Sequence, residues 1–333
     1  MHTNAVATAL HSIALGASIV VDNLTMIPLI PRTPSTPSTP STPSTSSTFG
    51  TTPVDYLVLD DALASGSFEI TEVSEQGSVP DLRVVNRGSQ PVLIVDGEEL
   101  LGAKQNRIVN LSILVPAQSE LTIPVSCVEA GRWRARSKSF KAAPRTQYAT
   151  GRARRMVHVS YSMAANGDRV SNQADVWQDI AAMSMRLNAE SPTSAMEEIF
   201  HRHDTSIVEY VERCRPVDGQ VGAVFAVGDR LIGFDLFDRP STLKKVMPKL
   251  VRSVAVDAID AASRSENGNR GARPDDRAIR LRAEQFLAVT GDVPQHVTRA
   301  LGLGEDARMT GPGIAGAALL AGEHVVHLSA FAL

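Results

Sequence analysis

Between Tyr56 and Val125 six short apolar runs follow one another at intervals of roughly 8 to 14 residues: Tyr56–Leu59, Phe68–Val73, Leu82–Asn86, Val92–Asp96, Ile108–Val115 and Leu121–Val125. Turn signals such as Asn86-Arg87-Gly88 and Asp96-Gly97 lie between them. Helices of ordinary length do not fit such intervals, whereas an antiparallel sandwich or barrel-like module does. In Leu121-Thr122-Ile123-Pro124-Val125 the apolar side chains alternate, so one face of that strand is buried and the other polar. Upstream, Ser18 to Ile30 is strand-like, and its prolines at 28 and 31 predict an edge strand.

The period changes from Ser171 onward. Val176, Ile180, Met183 and Leu187 recur at helical steps behind Ser171 and Asn172, which predicts an amphipathic helix. A second helix is expected from Met196 to about Cys214, others over 241–264 and 275–289, and hairpins around Gly228-Asp229 and Gly322-Glu323, the first of type II′. The fold class expected is therefore α+β: an N-terminal antiparallel β-sandwich-like module over 18–165, then an α+β half over 171–331 with an antiparallel sheet covered by helices. The halves are either separate domains or one continuous body.

Two segments stand outside this plan. Residues 33 to 45 read Thr-Pro-Ser four times and then Thr, followed by Ser46, Ser47 and Thr48. With no apolar side chain to pack, 33–48 reads as a low-complexity insert of polyproline II character, its first thirteen residues roughly 40 Å long at about 3.1 Å each. A polar Gly/Asn/Arg loop is expected between Ser265 and Asp275.

The 333 residues carry a net charge of −3. That balance excludes a globally basic nucleic-acid-binding surface, yet the stretch from Ala130 to Gly167 holds nine cations and no carboxylate. Arg132, Arg134, Arg136 and Lys138 alternate, so in an extended segment they share one face and attract an anionic small molecule or an acidic protein surface. Aromatic platforms for bases are few, which makes nucleic acid an unfavoured partner. No window is long and apolar enough for a membrane span, and the N-terminus lacks a secretory n-region. With two cysteines, Cys127 and Cys214, a disulfide framework is excluded and the expected compartment is the cytoplasm.

The densest polar stretch runs from Asp96 to Arg107, with three carboxylates, two amides and two cations within twelve residues at a strand end. Such groups held at low entropic cost on a sheet suit a ligand site, and Glu98 or Glu99 is a candidate general base. Lys104, Gln105, Asn106 and Arg107 are candidate ligand contacts. In Val125-Ser126-Cys127-Val128-Glu129-Ala130-Gly131-Arg132-Trp133, Cys127 shares a face with Ile123 and Val125 and reads as a small buried hydrophobe. Trp133 can stack on a ring while Arg132 holds phosphate or carboxylate. Asp235 and Asp238, at a strand end, are further polar candidates, and helix capping ahead of Pro240 accounts for one of them. The histidine pairs 201/203 and 324/327 point apart in regular elements, so no metal site is expected. The residues leave the cofactor, the oligomeric state and the choice between binding and catalysis open.

The Val95–Arg107 and Pro124–Trp133 segments, Gly233-Phe234-Asp235-Leu236-Phe237-Asp238 and the closing His327-Leu328-Ser329-Ala330-Phe331 resemble, in the same order, the ARG and Rhodanese-Phosphatase-superfamily-associated protein domain family. The Thr-Pro-Ser insert departs from that pattern. The family's name implies association with ADP-ribosylglycohydrolase and rhodanese-phosphatase proteins, and so the binding or processing of an ADP-ribose, NAD-derived or other phosphate-bearing small molecule. No catalytic set comes with the resemblance. The matching polar positions, Glu129 among them, are candidates only. The competing reading is a non-enzymatic interaction module using the basic segment 132–155 and the proline-rich insert.

Overall fold

The computed structural model describes residues 4–32, 54–264 and 275–333. The Thr-Pro-Ser insert and nearly all of the 265–275 loop lie outside the described residues.

The fold is α+β. Nine strands form one antiparallel sheet in the order Ile13–Leu15, Leu24–Pro31, Gly222–Val227, Arg230–Phe237, His324–Ala332, Ile314–Ala321, Glu305–Gly311, Gln295–Arg299, with Ile19–Val21 also paired to Leu24–Pro31. Because side chains alternate across a strand, the sheet has two apolar faces, and helices cover both. Val224, Phe234 and Leu236 pack with the helices Ala5–His11 and Asp276–Asp292. Ala223, Phe225 and Phe237 pack into the larger core with Gln173–Arg186, Met196–Arg202, Asp204–Arg213 and Pro240–Ser263.

Two smaller sheets make the β module. One runs Phe140–Thr146, Glu98–Gly102, Arg107–Val109, Ser119–Cys127, Asp81–Asn86, Phe68–Glu72, and the other Ile113–Val115, Val92–Ile94, Leu57–Val58. They share a core that includes Leu82, Val84, Ile94, Leu100, Ile113, Ile123 and Phe140. The module is tied to the large sheet through Leu303, whose N–H donates to the Leu114 carbonyl at 2.8 Å.

Leu24–Pro31 is not an edge strand. It pairs with Gly222–Val227 on one side and with Ile13–Leu15 and Ile19–Val21 on the other, so strands from both ends of the chain share one sheet. Pro28 is tolerated because its carbonyl accepts from the Gly16 N–H at the gap between those two short strands, where its missing N–H has no partner to serve. The helix expected over 196–214 is two helices broken at His203. Asn172 caps Gln173–Arg186 by accepting from Ala174 and Asp175, and Val227 pairs with Arg230 across Gly228-Asp229 with Gly228 at φ 55°.

Candidate functional site

Period-two alternation sends the adjacent carboxylates Glu98 and Glu99 to opposite faces of the Glu98–Gly102 strand. Glu98 accepts from Lys249 Nζ at 2.6 Å and from the Val95 N–H at 2.8 Å. The same ammonium reaches Asp60 at 2.5 Å. Glu99, fully buried, accepts from Arg145 Nε at 2.5 Å, and its Oε1 has no partner among the described residues. Burial pushes the Glu99 carboxyl up despite Arg145. Both carboxylates therefore sit against cations in the interior.

The following turn meets the Cys127–Trp133 segment. Gln105 donates to the Glu129 carbonyl at 2.9 Å and accepts from Arg107 Nη1 at 2.6 Å and from the Cys127 thiol at 3.0 Å. The Asn106 N–H donates to Glu129 Oε2 at 3.2 Å, and its side-chain oxygen accepts from Arg132 at 3.1 Å. Arg132 is ion-paired to Glu129 at 2.6 Å. Cys127 is buried, and burial pushes its thiol up. Of this cluster only Trp133 and Lys104 reach the surface: Trp133 is 48% exposed, with Lys104 Nζ 5.3 Å and the Arg107 guanidinium 5.6 Å from its ring centre. Lys104 also donates to the carbonyls of Glu75 and Gln76 at 2.5 and 2.6 Å, drawing that loop over the cluster.

Arg107 differs from its neighbours. It is 0% exposed, and among the described residues no carboxylate lies within ion-pairing distance of it. Its Nε has no partner among the described residues, and burial pushes the guanidinium down although Cys127 and Glu72 act to raise it. Among the described residues Arg132 Nε and Glu129 Oε1 are also without hydrogen-bond partners, Arg136 reaching Glu129 Oε1 only at 3.8 Å. A buried cation without its anion is costly, and here several unfilled polar valences surround it.

Asp235 belongs to a second buried group. Arg152 donates to both its oxygens at 3.1 and 2.8 Å and contacts Asp96 at 3.4 Å. Arg155 donates to Asp96 at 2.8 Å. His327 Nε2 lies 3.1 Å from Asp235, and its Nδ1 lies 2.7 Å from Ser112 Oγ. Burial works to raise the Asp235 pKa, but Arg152 and His327 outweigh it and hold the carboxyl well below its ordinary range. Asp238 stands apart. It accepts from Tyr56 at 2.5 Å and from Arg239, and caps nothing, because Arg239 is the N-cap of Pro240–Ser263 and makes no side-chain cap bond.

The alternating basic strip is not formed. Residues 131–138 contain no strand, and Arg132 turns inward while Arg134, Arg136 and Lys138 are exposed. Arg145, Arg152 and Arg155 are interior side chains; Arg152 and Arg155 project from the helix Ala149–Asn166, and Arg154 on its outer side pairs with Asp179. Sequence reasoning passed over Lys249, Ser112 and the roles of these arginines; the acid-free stretch was the available signal. Among the described residues no group of three or more His, Cys, Asp or Glu side chains is placed to hold a metal ion, and no helix is long and apolar enough to cross a membrane.

The N-terminus of Ala149–Asn166 is held by Asp257, which accepts from the Ala149 N–H at 2.7 Å and from the Thr150 hydroxyl at 2.5 Å. Burial nevertheless pushes its carboxyl up to about 6. Its folded pKa lies above the unfolded value, so between about pH 4 and 6 the folded state binds more protons and this group's contribution falls as pH rises, then levels. Asp257→Asn is expected to remove that fall. Melting temperatures of both proteins from pH 4 to 8 check it, and parallel curves through pH 4–6 would show that Asp257 titrates normally.

A family model matches residues 12–331, that of the ARG and Rhodanese-Phosphatase-superfamily-associated Protein domain. Neither a search of curated proteins nor one of solved structures found a match.

Proposed function

The chain belongs to the ARG and Rhodanese-Phosphatase-superfamily-associated Protein domain family, and from that premise we propose that it binds a phosphate-bearing small molecule of the ADP-ribose or NAD-derived class at Arg107, Lys104 and Trp133. The observation that carries this reading is Arg107, a wholly buried guanidinium that makes no ion pair among the described residues, the charge of Glu72 acting on it only from beyond ion-pairing distance. An anionic oxygen would supply the missing charge and the acceptor for Nε. Lys104 now spends its ammonium on two neutral carbonyls, which a phosphate would replace with a stronger partner. Trp133, half exposed beside both cations, offers a face on which a base can stack. Gln105 and Asn106, buried and hydrogen-bonded to Glu129, Arg107, Glu197 and Arg132, hold the cluster in place rather than reach a ligand. The family name adds the ADP-ribose context; Glu98 and Glu99, both held by cations, are the carboxylates nearest in sequence for any processing step.

Calorimetric titration with ADP-ribose is expected to give saturable heat. Trp133→Ala should weaken binding roughly 5- to 100-fold, the usual worth of one stacked base. Absence of heat at millimolar ADP-ribose, or unchanged affinity in Trp133→Ala, would overturn the assignment.

A further inference from the structure

Independently of the Arg107 site, we propose that Ser112, His327 and Asp235 form a nucleophilic relay able to hydrolyse small acyl esters. Three segments more than eighty residues apart in sequence place a hydroxyl, an imidazole and a carboxylate in series: Ser112 Oγ to His327 Nδ1 at 2.7 Å, and His327 Nε2 to Asp235 Oδ1 at 3.1 Å. For a neutral imidazole the remaining contacts select the proton positions. Asp235 is ionised against Arg152, so it accepts from His327 Nε2–H, leaving the Nδ1 lone pair toward the serine. Ser112 Oγ already accepts the Asp96 N–H at 2.9 Å, so its single proton is directed to that lone pair. Phe237, stacked on the imidazole at 4.6 Å and 23°, fixes the ring plane. This is the order of roles a serine nucleophile needs: a base within hydrogen-bond reach, oriented in turn by a third group.

The exposure gradient agrees. His327 is 1% and Asp235 3% exposed, whereas Ser112 is half-buried. Ser112 lines a small cavity of about 10 Å³ together with Asp96, Asp306, Arg308, Leu319 and Ser329. Such a volume holds about one water. Ser329, 1% exposed, is on the wall with an Oγ that has no partner among the described residues, a second sign that the cavity receives a polar atom. Arg308 on that wall is held by both oxygens of Asp306 at 2.6 and 2.8 Å, so the cavity lining is polar but its cation is already paired. With room for about one water, the cavity can take the carbonyl oxygen but no acyl chain, so only the smallest acyl groups are expected to reach Ser112.

In the reaction, Ser112 Oγ bonds to the acyl carbon as the ester C–O bond breaks, and the serine proton passes through His327 Nδ1 to the departing alcohol. Water then bonds to the acyl carbon, the Oγ–C bond breaks and the water's proton returns through His327 to the serine. Ester and water give acid and alcohol, with no redox change.

The full chain treated with methanesulfonyl fluoride, a probe of acetyl size, is expected to acquire one sulfonyl group, mapped by peptide mass spectrometry to Ser112. Ser112→Ala should take up none, and His327→Gln should react roughly 10²-fold more slowly or less. Release of p-nitrophenol from p-nitrophenyl acetate should fall in parallel in Ser112→Ala, with circular dichroism confirming that this variant is folded. No adduct on wild-type Ser112, or ester hydrolysis unchanged in folded Ser112→Ala, overturns the proposal. Because the probe carries no phosphate, this outcome is separate from that of the ADP-ribose titration.

Discussion

Arg152→Met is expected to destabilise the protein by about 3–5 kcal/mol at neutral pH, the usual result of removing one member of a buried ion pair and stranding the other. Arg152 is 1% exposed and is the only described cation that touches both Asp96 and Asp235. Its aliphatic stem packs beneath Gly97, and its guanidinium lies 5.0 Å from the Phe331 ring. Methionine restores most of the volume but none of the charge, leaving Asp235 with His327 and Asp96 with Arg155. The sign of the pH dependence separates this from a packing defect. In the wild type, Asp235 has a folded pKa below its unfolded one, so its contribution is present above about pH 4 and is lost on acidification. Without Arg152, burial governs that carboxyl and raises its pKa, so the folded variant gains from protonation instead. The deficit in denaturant unfolding should therefore be largest near pH 7 and shrink toward pH 4. A deficit independent of pH would mean that Arg152 acts through volume alone.

Local pattern revealed those elements whose packing is local. The Gln173–Arg186 helix shows apolar residues at helical steps behind a capping Asn172, and the closing hairpins carry their turn residues in sequence. Ala149–Asn166 was hidden because its buried face is built from Arg152 and Arg155 beside Ala153 and Met156, which erases the apolar stripe. Read without tertiary partners, those arginines look like a solvated basic run. The pairing of Leu24–Pro31 with Gly222–Val227 joins segments about 200 residues apart, and nothing in the period of either names the other. The same division runs through the polar residues. Gln105, Asn106, Arg107, Glu129 and Arg132 stand in two compact stretches that flank the paired strands Arg107–Val109 and Ser119–Cys127, and they converge where those strands meet their loops. Ser112 and His327 carry no common signal, because only the docking of the β module on the large sheet brings them together.

Lys249→Met should produce a second large loss, about 3 kcal/mol or more at neutral pH, with a diagnostic rescue. Lys249 lies on the Pro240–Ser263 helix among Val246, Leu250 and Val251, where a lone lysine reads as surface. It is instead 5% exposed, and its ammonium sits between Glu98, 2% exposed, and the half-exposed Asp60. Asp60 can turn to water when the lysine is gone, but Glu98 cannot. Its remaining contact is the Val95 N–H, too little to hold a charge in the interior. The variant therefore keeps a carboxylate in the interior without its cation, which is the source of the loss. Adding Glu98→Gln removes the stranded charge and keeps an acceptor for Val95, so the double variant should recover most of the loss, since an ion pair replaced on both sides is often close to neutral. Equilibrium unfolding of the four proteins in a double-mutant cycle measures this directly. Additive losses would show that Glu98 is not the group Lys249 neutralises.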